Sequence, residues 1–313
     1  MKSRNQILVL TLLIGFTLSC RDIFDIDLSE ANVNVLAPVD NHVTDVFTQN
    51  FWWEEVEGAD SYQIQLVEPS FSSIYDFLVD TNLTHEHYVH TLEPGSYQWR
   101  IRAKNNSSQS PWQTYSLHVD STTDLSNQTV LLSLPEDEYY TNDMQVSFSW
   151  QEIFSATEYE FQLGDGGFGN LIQDETVTAA QTSYTFSEEG DYQWRVKALN
   201  NTSATAFSNP HTFVIDTTPP TAPSLLMPNH EDTIPDETFN FSWTSGQDES
   251  PIDFDSLYIY GDDNLINLVK ALEKNSITHT DSLGPGDYYW FVTSYDVAGN
   301  GGVVSNVRNF VIQ

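Results

Sequence analysis

Cysteine is almost absent from this chain, because its 313 residues include a single one, Cys20. No disulfide can form within the chain, so hydrophobic cores alone must stabilise any folded domain. The sequence also lacks a Gly-x-Ser-x-Gly motif and a Walker-type loop. These absences argue against a disulfide-framed domain and against the common hydrolase and nucleotide-binding classes.

Basic residues are scarce: 11 Lys and Arg stand against 45 Asp and Glu, for a formal net charge of −34. Such a field repels nucleic acid and anionic lipid headgroups, so neither is expected as a ligand. Carboxylate pairs at glycosidase-like spacing can be drawn almost anywhere in so acidic a chain and carry no information.

The N-terminus carries a short apolar run, Ile7–Phe16, behind Lys2 and Arg4. It is about half the roughly 20 residues that span a bilayer, so it predicts a secretory signal. Because the segment ends at Cys20, it resembles a bacterial lipoprotein signal, with an ordinary signal peptide as the alternative. The resemblance implies removal of residues 1–19, lipid on Cys20, an acidic tether over residues 20–32 and location at the outer membrane. The acidic residues after Cys20 resemble surface-export signals of Bacteroidetes lipoproteins, and both the outer and the periplasmic face stay open.

The phrase Gly-x-Tyr-x-Trp occurs three times, beginning at Gly95, Gly190 and Gly286. Its tyrosines are 95 and 96 residues apart, an interval that matches a whole small domain rather than a solenoid repeat. Alternating apolar residues dominate each copy. In the first copy, Tyr97 and Trp99 fall on one face of a predicted strand. Short strands separated by turn signals predict antiparallel β-sandwiches with one face of each sheet in water.

The Gly-x-Tyr-x-Trp phrase, with the turn residues before it, resembles the E–F corner and F strand of a fibronectin type III module. Trp53 and Trp150 stand where that family has its core tryptophan on the B strand. The resemblance covers residues 33–313 and implies a tyrosine corner, in which the tyrosine hydroxyl bonds to upstream backbone. The second copy lacks the corner proline, so its turn is expected to differ in detail. The predicted fold is all-β, with three tandem fibronectin type III-like sandwiches in an extended array stiffened by Pro219-Pro220. Their bounds are residues 33–120, 129–216 and 223–313.

The third copy departs from the others on the face that should point outward. Gln and Arg at these F-strand positions give way to aromatic residues, and two tyrosines on the C strand face the same way. Since C and F strands are neighbours in such a sandwich, these side chains are expected to form one exposed strip, unless another segment covers it. Its members are Tyr258, Tyr260, Tyr289, Phe291 and Tyr295. Trp52 is a weaker candidate for an outward aromatic contact.

Two further patterns favour ordinary structure over a site. His85 and His87 would share one face of a strand, but His90 falls out of phase, so no metal site is predicted. The glycine-rich segment 164–170 lacks the periodic aspartates of an EF-hand calcium loop and predicts a C–C′ hairpin.

On the outward face of the F strand in the second copy, Arg195 is expected to pair with Glu160 across the sheet.

A tandem array of one module favours a binding, adhesion or scaffold role at the cell envelope, without catalysis or a cofactor, with a protein or glycan as its partner. The alternative is an accessory glycan-binding lipoprotein of a polysaccharide uptake system. A hydrolase with an unrecognised site is a third class. The sequence leaves the oligomeric state open.

Overall fold

The computed structural model of the chain describes residues 25–235 and 238–313. In these two ranges every helix or strand element is a β-strand. The predicted signal peptide and Cys20 lie outside the described residues. Within the described part, no helix is long and apolar enough to cross a membrane.

The strands fall into three successive sets of eight, which we call modules 1, 2 and 3. Module 1 contains β1 (Val35–Ala37), β2 (His42–Thr44), β3 (Thr48–Trp53), β4 (Ser61–Ser70), β5 (Ser73–Leu83), β6 (His87–Thr91), β7 (Gly95–Lys104) and β8 (Gln113–Val119). Module 2 contains β9 (Leu132–Leu134), β10 (Tyr139–Thr141), β11 (Gln145–Trp150), β12 (Glu158–Asp165), β13 (Leu171–Val177), β14 (Gln181–Thr185), β15 (Gly190–Leu199) and β16 (His211–Ile215). Module 3 contains β17 (Ser224–Met227), β18 (Asp232–Ile234), β19 (Thr238–Thr244), β20 (Ile252–Tyr260), β21 (Leu268–Lys274), β22 (Thr278–Ser282), β23 (Gly286–Asp296) and β24 (Arg308–Ile312).

Each module forms a three-stranded and a five-stranded sheet in one repeated order. In module 1 the orders are β1-β3-β6 and β2-β8-β7-β4-β5, and modules 2 and 3 repeat them strand for strand. This topology confirms the predicted fibronectin type III-like sandwiches. In module 1, β3, β4, β5, β6 and β7 correspond to the B, C, C′, E and F strands of that fold, and the strands of modules 2 and 3 correspond in the same order. The sequence predicts antiparallel sheets, but one pairing is parallel: in modules 2 and 3 the second strand runs parallel to the last strand. The five-stranded sheets of these two modules are therefore mixed.

By compactness the chain divides into two units. The first unit consists of the described residues up to His42, together with Asn50–Tyr88 and Ser96–Leu117. The other consists of Val43–Gln49, Val89–Gly95 and His118–Gln313, so modules 2 and 3 lie in the same unit.

The same aromatic pair lies in the core of every module. A phenylalanine of the third strand of each module (β3, β11 or β19) packs edge-on against the F-strand tryptophan, with ring centroids 5.0, 5.2 and 5.0 Å apart. All six rings are fully buried. Edge-to-face pairs of this kind add about 1 kcal/mol to the burial of their area. The pairs are Phe51 with Trp99, Phe148 with Trp194, and Phe241 with Trp290.

The tyrosine corner is present in modules 2 and 3. The Tyr192 hydroxyl donates to the Glu188 carbonyl oxygen at 2.9 Å, and the Tyr288 hydroxyl donates to that of Gly284 at 3.0 Å. The missing proline of module 2 therefore does not change this hydrogen bond. Gly190 has φ of +151°, and a Cβ there would lie 3.7 Å from the Tyr192 ring. Glycine fits this corner because it adopts such backbone angles without strain.

Module 3 differs from the other two inside its core. Asp255 stands opposite Ser294 on the neighbouring strand, where module 2 has Tyr159 opposite Ala198. The buried Asp255 carboxylate accepts hydrogen bonds from Trp243 Nε1 at 2.6 Å and from Ser294 Oγ at 2.5 Å. In module 2 the Trp150 Nε1 has no partner, so the aspartate satisfies a donor that is left unpaired there.

Replacing Tyr192 by phenylalanine tests the corner. Tyr192→Phe keeps the ring but removes the donor to the Glu188 carbonyl, so we expect the free energy of unfolding to fall by about 1 kcal/mol. Urea unfolding of the full chain measures it. Tyr139→Phe is the matched control, because that side chain is 45% exposed, and its expected effect is below about 0.5 kcal/mol. Equal effects of the two substitutions would contradict the assigned role of the corner.

Candidate binding surface

The outward face of the F strand is not bare in module 1. The predicted alternation is confirmed, with Tyr97, Trp99 and their phase-mates buried, but Arg100 on the other face is only partly exposed. Its guanidinium lies 4.2 Å from the ring centroid of Phe71 and 4.4 Å from that of Trp112. This burial, with the neighbouring charge of Arg102, lowers the pKa of Arg100.

Module 2 repeats this arrangement. The Arg195 guanidinium lies 3.9 Å from the ring centroid of Phe168 and 4.2 Å from that of Phe207. Cation–π contacts of this kind stabilise a half-buried charge. In both modules one ring comes from the turn between the C and C′ strands, and the other comes from the segment after the F strand. The expected solvated face is therefore corrected to one capped by aromatic rings from two loops.

The expected pairing of Glu160 with Arg195 is wrong. Glu160 stands directly opposite Lys197 in the register, and their charged atoms are 2.7 Å apart. Arg195 stands opposite Gln162 and donates to its Oε1 from both Nε, at 2.9 Å, and Nη2, at 2.7 Å. The register of the two strands decides the partners.

In module 3 the predicted aromatic residues do come together on the outer face of the five-stranded sheet. Tyr258 lies opposite Phe291, and Tyr260 lies opposite Tyr289. The Tyr258 and Phe291 rings are stacked with centroids 5.0 Å apart, and the Tyr260 and Phe291 rings with centroids 6.0 Å apart. The interplanar angles are 22° and 14°, so the three rings are close to parallel.

Tyr295 extends this surface, which we call the aromatic strip: Tyr258, Tyr260, Tyr289, Phe291 and Tyr295. The Tyr295 ring stacks on Phe254 with centroids 4.8 Å apart. Burial, followed by interaction with Tyr258 and with the charge of Glu273, raises the pKa of Tyr295. All five members of the strip are partly exposed.

In module 3, the two loops that correspond to the capping loops of modules 1 and 2 contain no aromatic residue. Thr205 N donates to the Ala198 carbonyl, and Gly302 N makes the same bond to Ser294. This correspondence places Val304 where module 2 has Phe207, and Val304 is 54% exposed. In the C–C′ turn Ile266 is 82% exposed, where the other modules place Phe71 and Phe168 over an arginine. Exposed aliphatic side chains thus stand where the others have aromatic caps.

The remaining aromatic candidate lies in module 1. Trp52 is 50% exposed, out of phase with the buried Trp53. Its role in binding stays a prediction.

The histidine pair is only partly on a strand, because His87 begins β6 and His85 lies in the bend before it, so the expected shared strand face is not formed. The rings of His85 and His87 lie side by side with centroids 4.6 Å apart. Burial lowers the pKa of His90. The glycine-rich segment forms the turn between β12 and β13, as expected of a C–C′ hairpin.

Across residues 25–235 and 238–313, one group of three potential metal ligands is close enough to hold an ion: Asp216, Asp248 and Asp296. Sequence reasoning missed this group, because its members come from a linker, a loop and a strand end. The available signal was Asp296 itself, which stands six residues after the F-strand tryptophan, where modules 1 and 2 have Asn105 and Asn200.

The similarity of this chain to known proteins is to solved structures. No family model and no curated protein matches the chain. The structure is similar to the FN1–FN3 domains of chicken CNTN1, with 14% identity, 90% of this chain and 98% of that chain covered, and a TM-score of 0.48. It is also similar to fibronectin(III)-like modules of Clostridium thermocellum CbhA, with 13% identity, 59% and 94% covered, and a TM-score of 0.41.

Proposed function

We propose that this chain is a non-enzymatic binding protein of the cell envelope, anchored to the outer membrane through lipid on Cys20. Its contact surface is the aromatic strip of module 3. The partner is an envelope protein, for which the chain acts as an adhesion or scaffold array. The alternative is a glycan, taken up by a polysaccharide uptake system in which the chain is an accessory lipoprotein.

The observation that carries this proposal is the difference between one outer face and the two others. Modules 1 and 2 use their outer aromatic rings to cover Arg100 and Arg195. Module 3 has no arginine at the corresponding position, where Phe291 stacks between two tyrosines, and the rim is aliphatic and exposed. Exposed apolar clusters of this kind typically mark interaction sites in soluble domains.

Tyrosine-rich surfaces suit both candidate partners for physical reasons. A tyrosine ring buries a large apolar area at low entropic cost and keeps a hydroxyl for hydrogen bonding, which is why such rings are enriched at protein interfaces. Near-parallel rings offer flat apolar faces, to which the apolar face of a sugar ring is complementary. The glycan alternative rests on these flat, near-parallel ring faces.

The anchor is tested at Cys20. Cys20→Ser removes the thiol that would accept lipid, so we expect the chain to move from the membrane fraction to the soluble fraction and to lose labelling by a radioactive fatty acid. One acyl chain binds membranes only marginally, so anchoring depends on the full modification. Ser19→Ala is the control that leaves the thiol in place. A Cys20→Ser chain that stays lipid-labelled would refute the anchor.

The contact surface is tested by removing three rings together. We expect Tyr258→Ala, Tyr260→Ala and Tyr289→Ala in one chain to weaken binding by at least about 30-fold, the effect of losing one interface hot spot. Quantitative pull-down from envelope extracts with the full chain measures the protein arm. Affinity electrophoresis in a panel of soluble polysaccharides measures the glycan arm.

The matched control is Tyr75→Ala, since Tyr75 is 86% exposed and lies outside the strip. Thermal unfolding of each variant checks that the fold is intact. Retardation of the wild-type chain by a polysaccharide, lost in the triple variant, would favour the glycan alternative. Unchanged binding of a folded triple variant in both arms would eliminate the strip as the contact surface.

A further inference from the structure

Three acidic side chains from distant parts of the sequence meet beside the segment that leads into module 3. Asp216 directly follows β16, Asp248 lies in the loop between β19 and β20, and Asp296 ends β23. One carboxylate oxygen of each lies within 4.8 Å of the others. Asp216 and Asp296 are only 7% and 2% exposed, and Asp248 is partly exposed.

Two oxygens in this group have no partner. Asp216 Oδ1 accepts a hydrogen bond from Thr218 N at 2.9 Å, but Asp216 Oδ2 is buried and accepts none. Asp248 Oδ2 is likewise buried without a partner. A buried carboxylate oxygen without a donor or a cation is costly. Burial, followed by the charges of Asp216 and Asp296, raises the pKa of Asp248, as expected for like charges held together.

In the described part of the chain, no basic side chain forms an ion pair with these three carboxylates. Among the ion pairs found in the described residues, none includes Asp216, Asp248 or Asp296. A side-chain amide is present instead: Asn300 Nδ2 donates to Asp296 Oδ2 at 2.9 Å and to the Asp216 carbonyl oxygen at 2.8 Å. An amide carries no net charge, so it orients the carboxylates without neutralising them.

Modules 1 and 2 show what usually stands at the position of Asp296. Each F-strand tryptophan is followed six residues later by Asn105, Asn200 or Asp296. Asn105 Nδ2 donates to the carbonyl oxygens of Ile26 and Gly58, at 2.7 and 2.9 Å. Asn200 Nδ2 donates to those of Thr123 and Ser155, at 2.8 and 3.2 Å.

The asparagine thus ties the incoming segment to the B–C loop. An ionised aspartate is an acceptor only and cannot make these bonds. In module 3 the incoming segment and the B–C loop present carboxylates of their own, from Asp216 and Asp248. Asn300 supplies the amide bond to the incoming segment, so the groups left without a donor are the carboxylate oxygens of Asp216 and Asp248, and a cation would satisfy both.

We propose that Asp216, Asp248 and Asp296 bind one Ca²⁺ ion, which joins the incoming segment, the B–C loop and the end of the F strand through their carboxylates. Ca²⁺ prefers oxygen ligands at about 2.4 Å, so two ligands on opposite sides of the ion lie up to about 4.8 Å apart. The three oxygens lie within this limit of one another, so one ion can contact all three. Mg²⁺ is disfavoured because it demands near-ideal octahedral geometry and gives up its bound water reluctantly. Zn²⁺ is disfavoured because it prefers nitrogen and sulfur ligands.

The linker is already held in place beside this group. Thr221 N donates to the Gln247 carbonyl at 3.0 Å, and Gln247 N donates back to Thr221 Oγ1 at 2.8 Å. A side chain at Gly246 is excluded, because its Cβ would lie 2.0 Å from the Thr221 carbonyl oxygen. An ion on Asp216 would therefore bind a preorganised linker, which lowers the entropic cost of binding.

The test is a calorimetric titration of the full chain with CaCl₂ after treatment with a chelator, at physiological ionic strength. We expect one saturable site per chain with a dissociation constant of about 10⁻⁴ M, as in extracellular modules. We also expect the melting temperature to rise by roughly a few degrees at saturation. The same titration with MgCl₂ should show much weaker binding.

Asp296→Asn is the informative variant, since it installs the residue that modules 1 and 2 use and keeps the side-chain shape. We expect at least about a tenfold loss of Ca²⁺ affinity, because the site loses one of its three charged ligands. Asp248→Asn, in a partly exposed loop position, should have the same effect and serves if the first variant is unstable. Asp120→Asn is the matched control: Asp120 follows β8 as Asp216 follows β16, but it is exposed and outside the group.

Three results would overturn the proposal. One is a wild-type chain that shows no saturable Ca²⁺ binding up to millimolar concentrations. Another is undiminished binding by folded Asp296→Asn and Asp248→Asn chains, which would assign the ion to other acidic residues. The third is Mg²⁺ binding as tight as Ca²⁺ binding.

Discussion

The edge-on contact between a B-strand phenylalanine and an F-strand tryptophan is the interaction on which each module depends. It joins the two sheets at the centre of a core that has no disulfide to support it. Because side chains alternate along a strand, fixing Trp99, Trp194 and Trp290 inward also fixes which neighbours point outward. The core contact therefore defines the outer faces on which the modules differ.

Those outer faces have diverged while the core pair has not. On the outer faces of modules 1 and 2, aromatic rings from loops cover an arginine. On the outer face of module 3, aromatic rings stack on one another and no loop aromatic covers them. The junction end of the F strand has changed too, from Asn105 and Asn200 to Asp296. Module 3 thus differs on its outer face and at the junction end of its F strand, in addition to Asp255 in its core, and none of these differences disturbs the shared topology.

Sequence periodicity predicted the fold well because alternation and corner residues are local signals. The burial pattern of the F strand follows from the alternation. The hydroxyl contacts of Tyr192 and Tyr288 are what the resemblance to fibronectin type III modules implied. Periodicity could not predict the rings over Arg100, since Phe71 and Trp112 come from loops without a period. It misassigned the partner of Glu160, because choosing Lys197 over Arg195 requires the register of two strands. It also missed the carboxylate group, whose members meet only in the folded chain.

The central claim is that the outer face of module 3 contacts the partner, and hydroxyl-radical footprinting of the chain on intact cells tests it most directly. Oxidation of each aromatic residue is compared between the purified chain and the chain in its envelope. The account predicts that the aromatic strip becomes protected while the 86%-exposed Tyr75 does not. Equal oxidation of the strip in both states, or protection confined to modules 1 and 2, would contradict it.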